Sequence, residues 1–486
     1  MAERTILGLA VLTAYLVLGT ALAVAARRMG VKTSRDYYVA GSRLGTFLAA
    51  MTYAATTYSA FMIVGLVGFA YSTGVGALGF ELVYFVGTMM LLSLLAPKVW
   101  RLSKERGWIS PSEMLGDLYG SRALGAIVAA IYAFALIPYM GAQVKGIAEA
   151  VSGLLGGAEY AYEAGVALGT AILAVWTIAA GMWSVAVTDA LQGVWMIIAA
   201  LGVLAWLLGW VSDAVGFSKA TELLAGEGLT GITPFWSFTT FLGFTVPWFF
   251  FAVTNPQVVQ RLFLPKDERS LAGMIKWFAF FGISYTVLVT LLGLLARSLT
   301  AAGVLPFIES RDAVTPTLLS YAPPLLAAIV FTSIAAAAGS TADSIALAVA
   351  VSIVTSLYRP LSRRASEAAE IRVGQVVVIG LILAAAAVAM TRSGFIVALS
   401  VLSSAILLAL APATIYAWVV SEAARGRGRA AAASVVVGAA IATAAAVKYG
   451  TRALVLPVAG LPLPVWTLIA STAVLAVGLA AERGRG

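Results

Sequence analysis

Long apolar runs alternate with short polar, basic stretches along this chain of 486 residues. A membrane-crossing helix needs roughly 20 consecutive apolar residues. On that length criterion thirteen segments are predicted, near 5–26, 46–71, 75–97, 122–150, 162–181, 186–210, 235–262, 271–299, 322–356, 371–391, 394–420, 430–447 and 462–481. The pattern holds no stretch of strand-like alternation and no low-complexity linker between segments. It predicts an all-α polytopic membrane protein of about thirteen transmembrane helices, a single transmembrane domain covering 1–486.

Polar positions inside the apolar runs mark unusual local structure. Segment 2 carries Tyr53-Ala54-Ala55-Thr56-Thr57-Tyr58-Ser59-Ala60 at its centre, small and rich in hydroxyls. Segment 7 carries Pro247 and then Asn255-Pro256. Proline removes a backbone donor and frees a carbonyl one turn earlier. Within a bilayer a freed carbonyl is tolerated only where protein or a cavity satisfies it. Both segments are therefore expected to be broken helices. They stand five segments apart, which fits two five-helix repeats, 46–210 and an inverted 235–420, with peripheral helices at 5–26 and 430–481. Secondary transporters often place their binding sites at such paired breaks.

Charge then orients the chain. Loops after odd-numbered segments, with the segment ends beside them and the C-terminus, hold 23 of the 31 Lys and Arg residues; the N-terminus and the remaining loops hold 7, and Lys145 lies inside segment 4. The basic side is expected to be cytoplasmic, with the N-terminus outside and the C-terminus inside a cell membrane. The net charge of +9 is thus a matter of topology, and no nucleic-acid partner is expected. Segment 1 is as long as a full span and is read as a retained helix rather than a cleaved signal.

Composition narrows the chemistry. Hydrophobic residues make up 61% of the chain, charged residues 11%, and there is no Cys or His. Thiolate metal sites, disulfides, histidine relays and Ser-His-Asp catalysis are excluded. An ion handled here must meet carbonyl, hydroxyl or carboxylate oxygens, which suit hard cations. There is no Gly-rich phosphate loop, no arginine-every-third-residue sensor and no TVGYG-like filter, so ATP-driven transport, voltage sensing and potassium conduction are not expected. No enzyme activity is expected either.

One face of segment 9 offers such oxygens. Ala337, Ser340 and Thr341 recur at i, i+3 and i+4 and so share a side of the helix. Opposite the break in segment 2, that face could complete an oxygen cage for sodium. Small residues and hydroxyls also serve close helix packing, so the spacing alone leaves both readings open. Carboxylates within the membrane, Asp189 in segment 6, Glu81 in segment 3 and Asp343 in segment 9, are costly and so are candidates for function. Asp343 is read as a structural hydrogen-bonding group. Gln143 in segment 4 and Trp248 beside Pro247 are further candidates.

Four motifs carry a resemblance: Asp36-Tyr37-Tyr38-Val39-Ala40-Gly41-Ser42-Arg43-Leu44-Gly45; Val187-Thr188-Asp189-Ala190-Leu191-Gln192-Gly193; Asn255-Pro256-Gln257-Val258-Val259-Gln260-Arg261; and Gly339-Ser340-Thr341-Ala342-Asp343-Ser344 before Leu357-Tyr358. In this order the chain resembles the sodium:solute symporter family, from about Arg35 to Arg425. The resemblance implies a LeuT-type core of inverted five-helix repeats and sodium-coupled symport of a small organic solute by alternating access. It implies a sodium site at the carbonyls of Ala55, Tyr58 and Ala337 and the hydroxyls of Ser340 and Thr341, with Asp189 linked to sodium coupling. For the solute it implies Thr57, Glu81, Gln143, Trp248, Asn255 and Pro256. Thr57 and Ala252 depart from the proline-symporter pattern, and Gly79-Phe80-Glu81 is similar to sugar symporters. An organic acid or amino acid is favoured, with sugar open. The other readings are a proton-coupled carrier of the same fold, with Asp189 or Glu81 carrying the proton, and an ion channel or sensor.

Overall fold

The computed structural model describes residues 2–26, 28, 31–362 and 366–483. It is almost wholly helical, with one two-stranded hairpin pairing 457–458 with 461–462. Among the described residues, eleven helices are long and apolar enough to cross a membrane, and twelve spans result if the bent pair Thr46–Thr57 and Phe61–Thr73 is one crossing. The sequence predicts about thirteen. The difference is segment 7, which is not one helix but three pieces, Phe238–Phe249, Phe251–Thr254 and Pro256–Arg261.

Both predicted breaks are present, each with a local cause. Segment 2 stops at Tyr58, whose backbone is extended (φ −96°, ψ 90°). It resumes as a π-helical turn, Phe61–Leu66, and the two halves are bent by 46°. The freed N–H groups find side chains: Ala60 N donates to Gln143 Oε1 at 3.3 Å and Phe61 N to Ser59 Oγ at 3.1 Å. The hydroxyl-rich run thus caps its own interruption, as any helix end must be capped away from water. In segment 7, Pro256 begins a helix where its missing N–H costs nothing, and it forces the preceding Asn255 into an extended conformation (φ −89°, ψ 117°).

Segments 5 and 6 hold a second difference. No loop separates them: Ala161–Ala214 is assigned as one helix of 54 residues that pivots at Gly181 (φ +58°). A Cβ at Gly181 would lie 2.3 Å from the carbonyl oxygen of Tyr37, so only glycine allows that approach.

Burial separates centre from rim. The most apolar windows of segments 9 and 11 are 83% and 94% buried, those of segments 1 and 13 only 28% and 22%. The first pair are interior helices and the second pair face lipid. Segment 9 achieves this through small residues, Ala335 to Thr341 containing nothing larger than threonine, which lets neighbouring backbones approach.

Candidate functional site

The central question is what faces the break in segment 2. Segment 9 does, through the predicted residues. Ser340 Oγ donates to the Ala55 carbonyl at 2.8 Å and lies 2.9 Å from the Ala337 carbonyl of its own helix. Thr341 Oγ1 lies 3.0 Å from the Thr56 carbonyl and 3.5 Å from that of Ala55. All these residues are buried. Ala55, Ala337, Ser340 and Thr341 therefore meet at one point. Tyr58 marks the helix end beside it, its ring lying against Phe278 and Phe281 at 5.8 and 5.7 Å between centroids.

One turn away lies a charged network that sequence reasoning missed in part. Asp189 is buried and accepts from Thr52 Oγ1 at 2.5 Å. Its second partner is Arg261, whose Nη2 stands 3.4 Å from Asp189 Oδ2. Arg261 is fully buried, although the charge pattern assigns it to a loop. Its guanidinium also donates to the carbonyls of Thr52 at 3.3 Å and Gln257 at 2.8 Å, and to Ser344 Oγ. Ser344 and Thr56 share a hydrogen bond of 2.8 Å. Segments 2, 6, 7 and 9 are tied together by these few groups. The signal was available: an arginine one turn after Gln257, on a helix that Pro256 starts inside an apolar run. Asp343 points elsewhere, accepting from Thr177, as its structural reading expects.

The predicted solute residues divide. Trp248 lies in a nest of rings, with centroids of Phe251, Phe61, Tyr84 and Tyr139 at 4.8, 5.2, 5.7 and 6.2 Å. Its Nε1, Tyr84 OH and Glu81 Oε2 are buried without a hydrogen-bond partner among the described residues. Glu81 and Tyr84 stand three residues apart on the helix Gly76–Arg106 and so share one of its faces. Gln143 joins this cluster, its Nε2 on the Tyr139 carbonyl at 3.3 Å and its oxygen on the segment 2 break. Asn255 turns to Thr254 and Ser404, at 3.1 and 3.5 Å, and keeps Oδ1 unpartnered. Thr57 donates back to the Tyr53 carbonyl at 2.7 Å, and Pro256 acts through the backbone break. Tyr84, one helical turn from Glu81, is a lining residue that the sequence reading overlooked. Unpartnered buried polar atoms are rare in native interiors, and a cluster of them marks a place built to receive polar groups.

Two broken helices, a hydroxyl face opposite one of them and a buried cluster of rings and unpartnered polar atoms beside it form the frame for the comparisons. A profile described as "Sodium:solute symporter family" matches residues 37–421. The chain belongs to the sodium:solute symporter family. Among curated relatives of this family member, the sodium/pantothenate symporter of Haemophilus influenzae is 26% identical over 336 residues, 68% of this chain and 67% of the relative. A monocarboxylate transport permease of Rhizobium johnstonii is 25% identical over 291 residues, 58% and 56%. A sodium/proline symporter of Staphylococcus aureus is 26% identical over 286 residues, 56% and 52%. The matches thus span between half and two thirds of those relatives. Among solved structures, a sodium-coupled sialic acid symporter in a substrate-bound outward-open state aligns with TM-score 0.76 at 17% identity, over 97% of this chain and 96% of that one. MhsT in complex with L-phenylalanine aligns at 0.53 and 14%, over 90% and 98%. The fold of this family member is the LeuT type.

Proposed function

We propose that this chain moves a small organic solute across the cell membrane together with sodium, by alternating access. The observation that carries the reading is the meeting of the Ala55 carbonyl with Ser340 and Thr341 at the segment 2 break. Sodium sits among the carbonyls of Ala55, Tyr58 and Ala337 and the two hydroxyls. The hydroxyl protons that now bridge to carbonyls turn outward, and five oxygens present lone pairs to one hard cation. Such a cation ties segment 2 to segment 9 and favours the arrangement that accepts solute. Coupling is reciprocal, so bound solute raises sodium affinity in turn.

The solute occupies a chamber that opens among Glu81, Gln143, Trp248, Tyr84 and Tyr139, beside the same break. The named relatives carry pantothenate, monocarboxylates and proline, which supports an organic acid or an amino acid. Segments 2–6 and 7–11 act as inverted repeats that rock about this centre, with the basic loops and the C-terminus inside the cell. One charge moving through 100 mV yields roughly 2.3 kcal/mol, enough for accumulation of some tens-fold, because about 1.4 kcal/mol is tenfold.

Proteoliposomes test the coupling ion. An inward sodium gradient at equal pH is expected to drive concentrative, saturable uptake, and a pH gradient without sodium is not. Uptake driven by pH alone would transfer coupling to Glu81 or Asp189. Current without saturable solute flux would make the protein a channel.

A further inference from the structure

The loop between segments 8 and 9 folds over the second half of the broken segment 2. Arg311–Ala313 is a 3-10 turn followed by the short helix Val314–Leu319. Four contacts pin it. Thr315 Oγ1 donates to the Ile63 carbonyl at 2.6 Å. Asp312 accepts from Lys145 Nζ at 2.7 Å and from Ile396 N at 3.1 Å. The Arg311 carbonyl presses so closely on Gly68 that a Cβ there would lie 1.9 Å from it.

Arg311 itself is placed differently from its neighbours. Lys145 is paired with Asp312 and Arg297 with Glu227, but the Arg311 guanidinium has no carboxylate partner among the described residues. It is only partly exposed, and three rings enclose it: its central carbon is 4.9 Å from the centroid of Phe395, 5.0 Å from Phe235 and 5.2 Å from Phe69. From Phe69 the rings continue inward, to Phe80 at 6.0 Å, then Phe61 at 6.3 Å, then Trp248 at 5.2 Å. An aromatic column thus leads from a guanidinium with no salt bridge among the described residues to the ring cluster around Trp248.

Ring faces hold a guanidinium by roughly 0.5–2 kcal/mol. A carboxylate offers a stronger, two-pronged bond that matches the planar fork of arginine. We propose that Arg311 captures the carboxylate of the incoming solute at the mouth of this column, before the solute reaches the chamber. The guanidinium leaves the ring faces for the carboxylate while the turn it shares with Asp312 stays pinned. Arg311 is then a specificity residue for acidic solutes. This rests on the symport reading and on its organic-acid or amino-acid arm.

The test is sodium-driven uptake into proteoliposomes of D-pantothenate, L-lactate, L-proline and D-galactose, by the wild type, Arg311→Gln and Arg311→Lys. For whichever carboxylate the wild type carries, Arg311→Gln is expected to raise KM about tenfold, the scale of one lost charge-assisted contact, with maximal rate and sodium half-saturation unchanged. Arg311→Lys keeps the charge without the fork and is expected to lie between. Unchanged KM in Arg311→Gln overturns the proposal. So does transport of galactose to the exclusion of the carboxylates. Loss of maximal rate alone in both variants also overturns it, since that marks a structural role. Absence of sodium-driven uptake of every solute would instead bring down the symport reading itself, and this proposal with it.

Discussion

Replacing both hydroxyls, as Ser340→Ala with Thr341→Ala, is expected to raise the sodium concentration for half-maximal uptake by well over tenfold. Two of the five oxygens proposed around the ion vanish, and both belong to side chains that reach across to segment 2. Tenfold corresponds to about 1.4 kcal/mol, and a hydrogen bond or ligand contact to a charged group is worth roughly 1.5–3 kcal/mol. The pair together should therefore exceed one decade. The substitutions are small, on a helix already made of alanine, glycine, serine and threonine, so packing is preserved. Solute KM at saturating sodium is expected to change little, because neither residue lines the Trp248 chamber. Uptake measured against sodium concentration, with the two single variants for comparison, gives the answer. An unchanged sodium curve would remove the site.

Asp189→Asn is expected to destabilise the protein by roughly 3–5 kcal/mol, the range seen when one partner of a buried ion pair is removed. Arg261 is fully buried, and Asp189 is its one carboxylate partner among the described residues. Its other bonds, to the carbonyls of Thr52 and Gln257 and to Ser344, are to neutral groups. With Asn at 189 a full positive charge would remain in the membrane interior without compensation. The double variant Asp189→Asn with Arg261→Gln removes both charges and is expected to recover much of the loss. Unfolding midpoints in detergent for the three proteins distinguish this from a simple loss of an ion ligand. An unchanged midpoint in Asp189→Asn would show that the pair contributes nothing. A double variant as unstable as the single would show that the charge on Arg261 is not the cause.

The sequence makes the broken helices legible because the physics of a bilayer is strict. A proline at 256 or a run of hydroxyls at 56–59 within apolar surroundings has few structural solutions, and the fold uses the expected ones. The face of segment 9 was equally readable, since i, i+3, i+4 spacing fixes a side of a helix whatever surrounds it. Hydropathy averages over the breaks of segment 7, so its composition marks a span while its prolines mark the interruption, where Asn255-Pro256 separates helices of only four and six residues. The junction of segments 5 and 6 falls at Gly181, where the predicted segment 5 ends, and it needs no polar loop because the chain pivots there. Arg261 counts with the basic residues at a segment end, and its part in an ion pair is not drawn from the sequence. Its place on a helix that Pro256 starts within an apolar run is a signal, but its partner Asp189 lies 72 residues away and only the fold brings the two together. Tyr84 and the ring column from Arg311 to Trp248 depend on which helices adjoin, which one sequence does not state.

Equilibrium binding of radiolabelled sodium to the purified protein, without solute and with potassium replacing sodium as control, tests the central claim most directly. The account predicts saturable sodium binding in the wild type that potassium does not displace, and its loss in Ser340→Ala with Thr341→Ala at the same concentration of folded protein. Equal saturable binding by both proteins would contradict it.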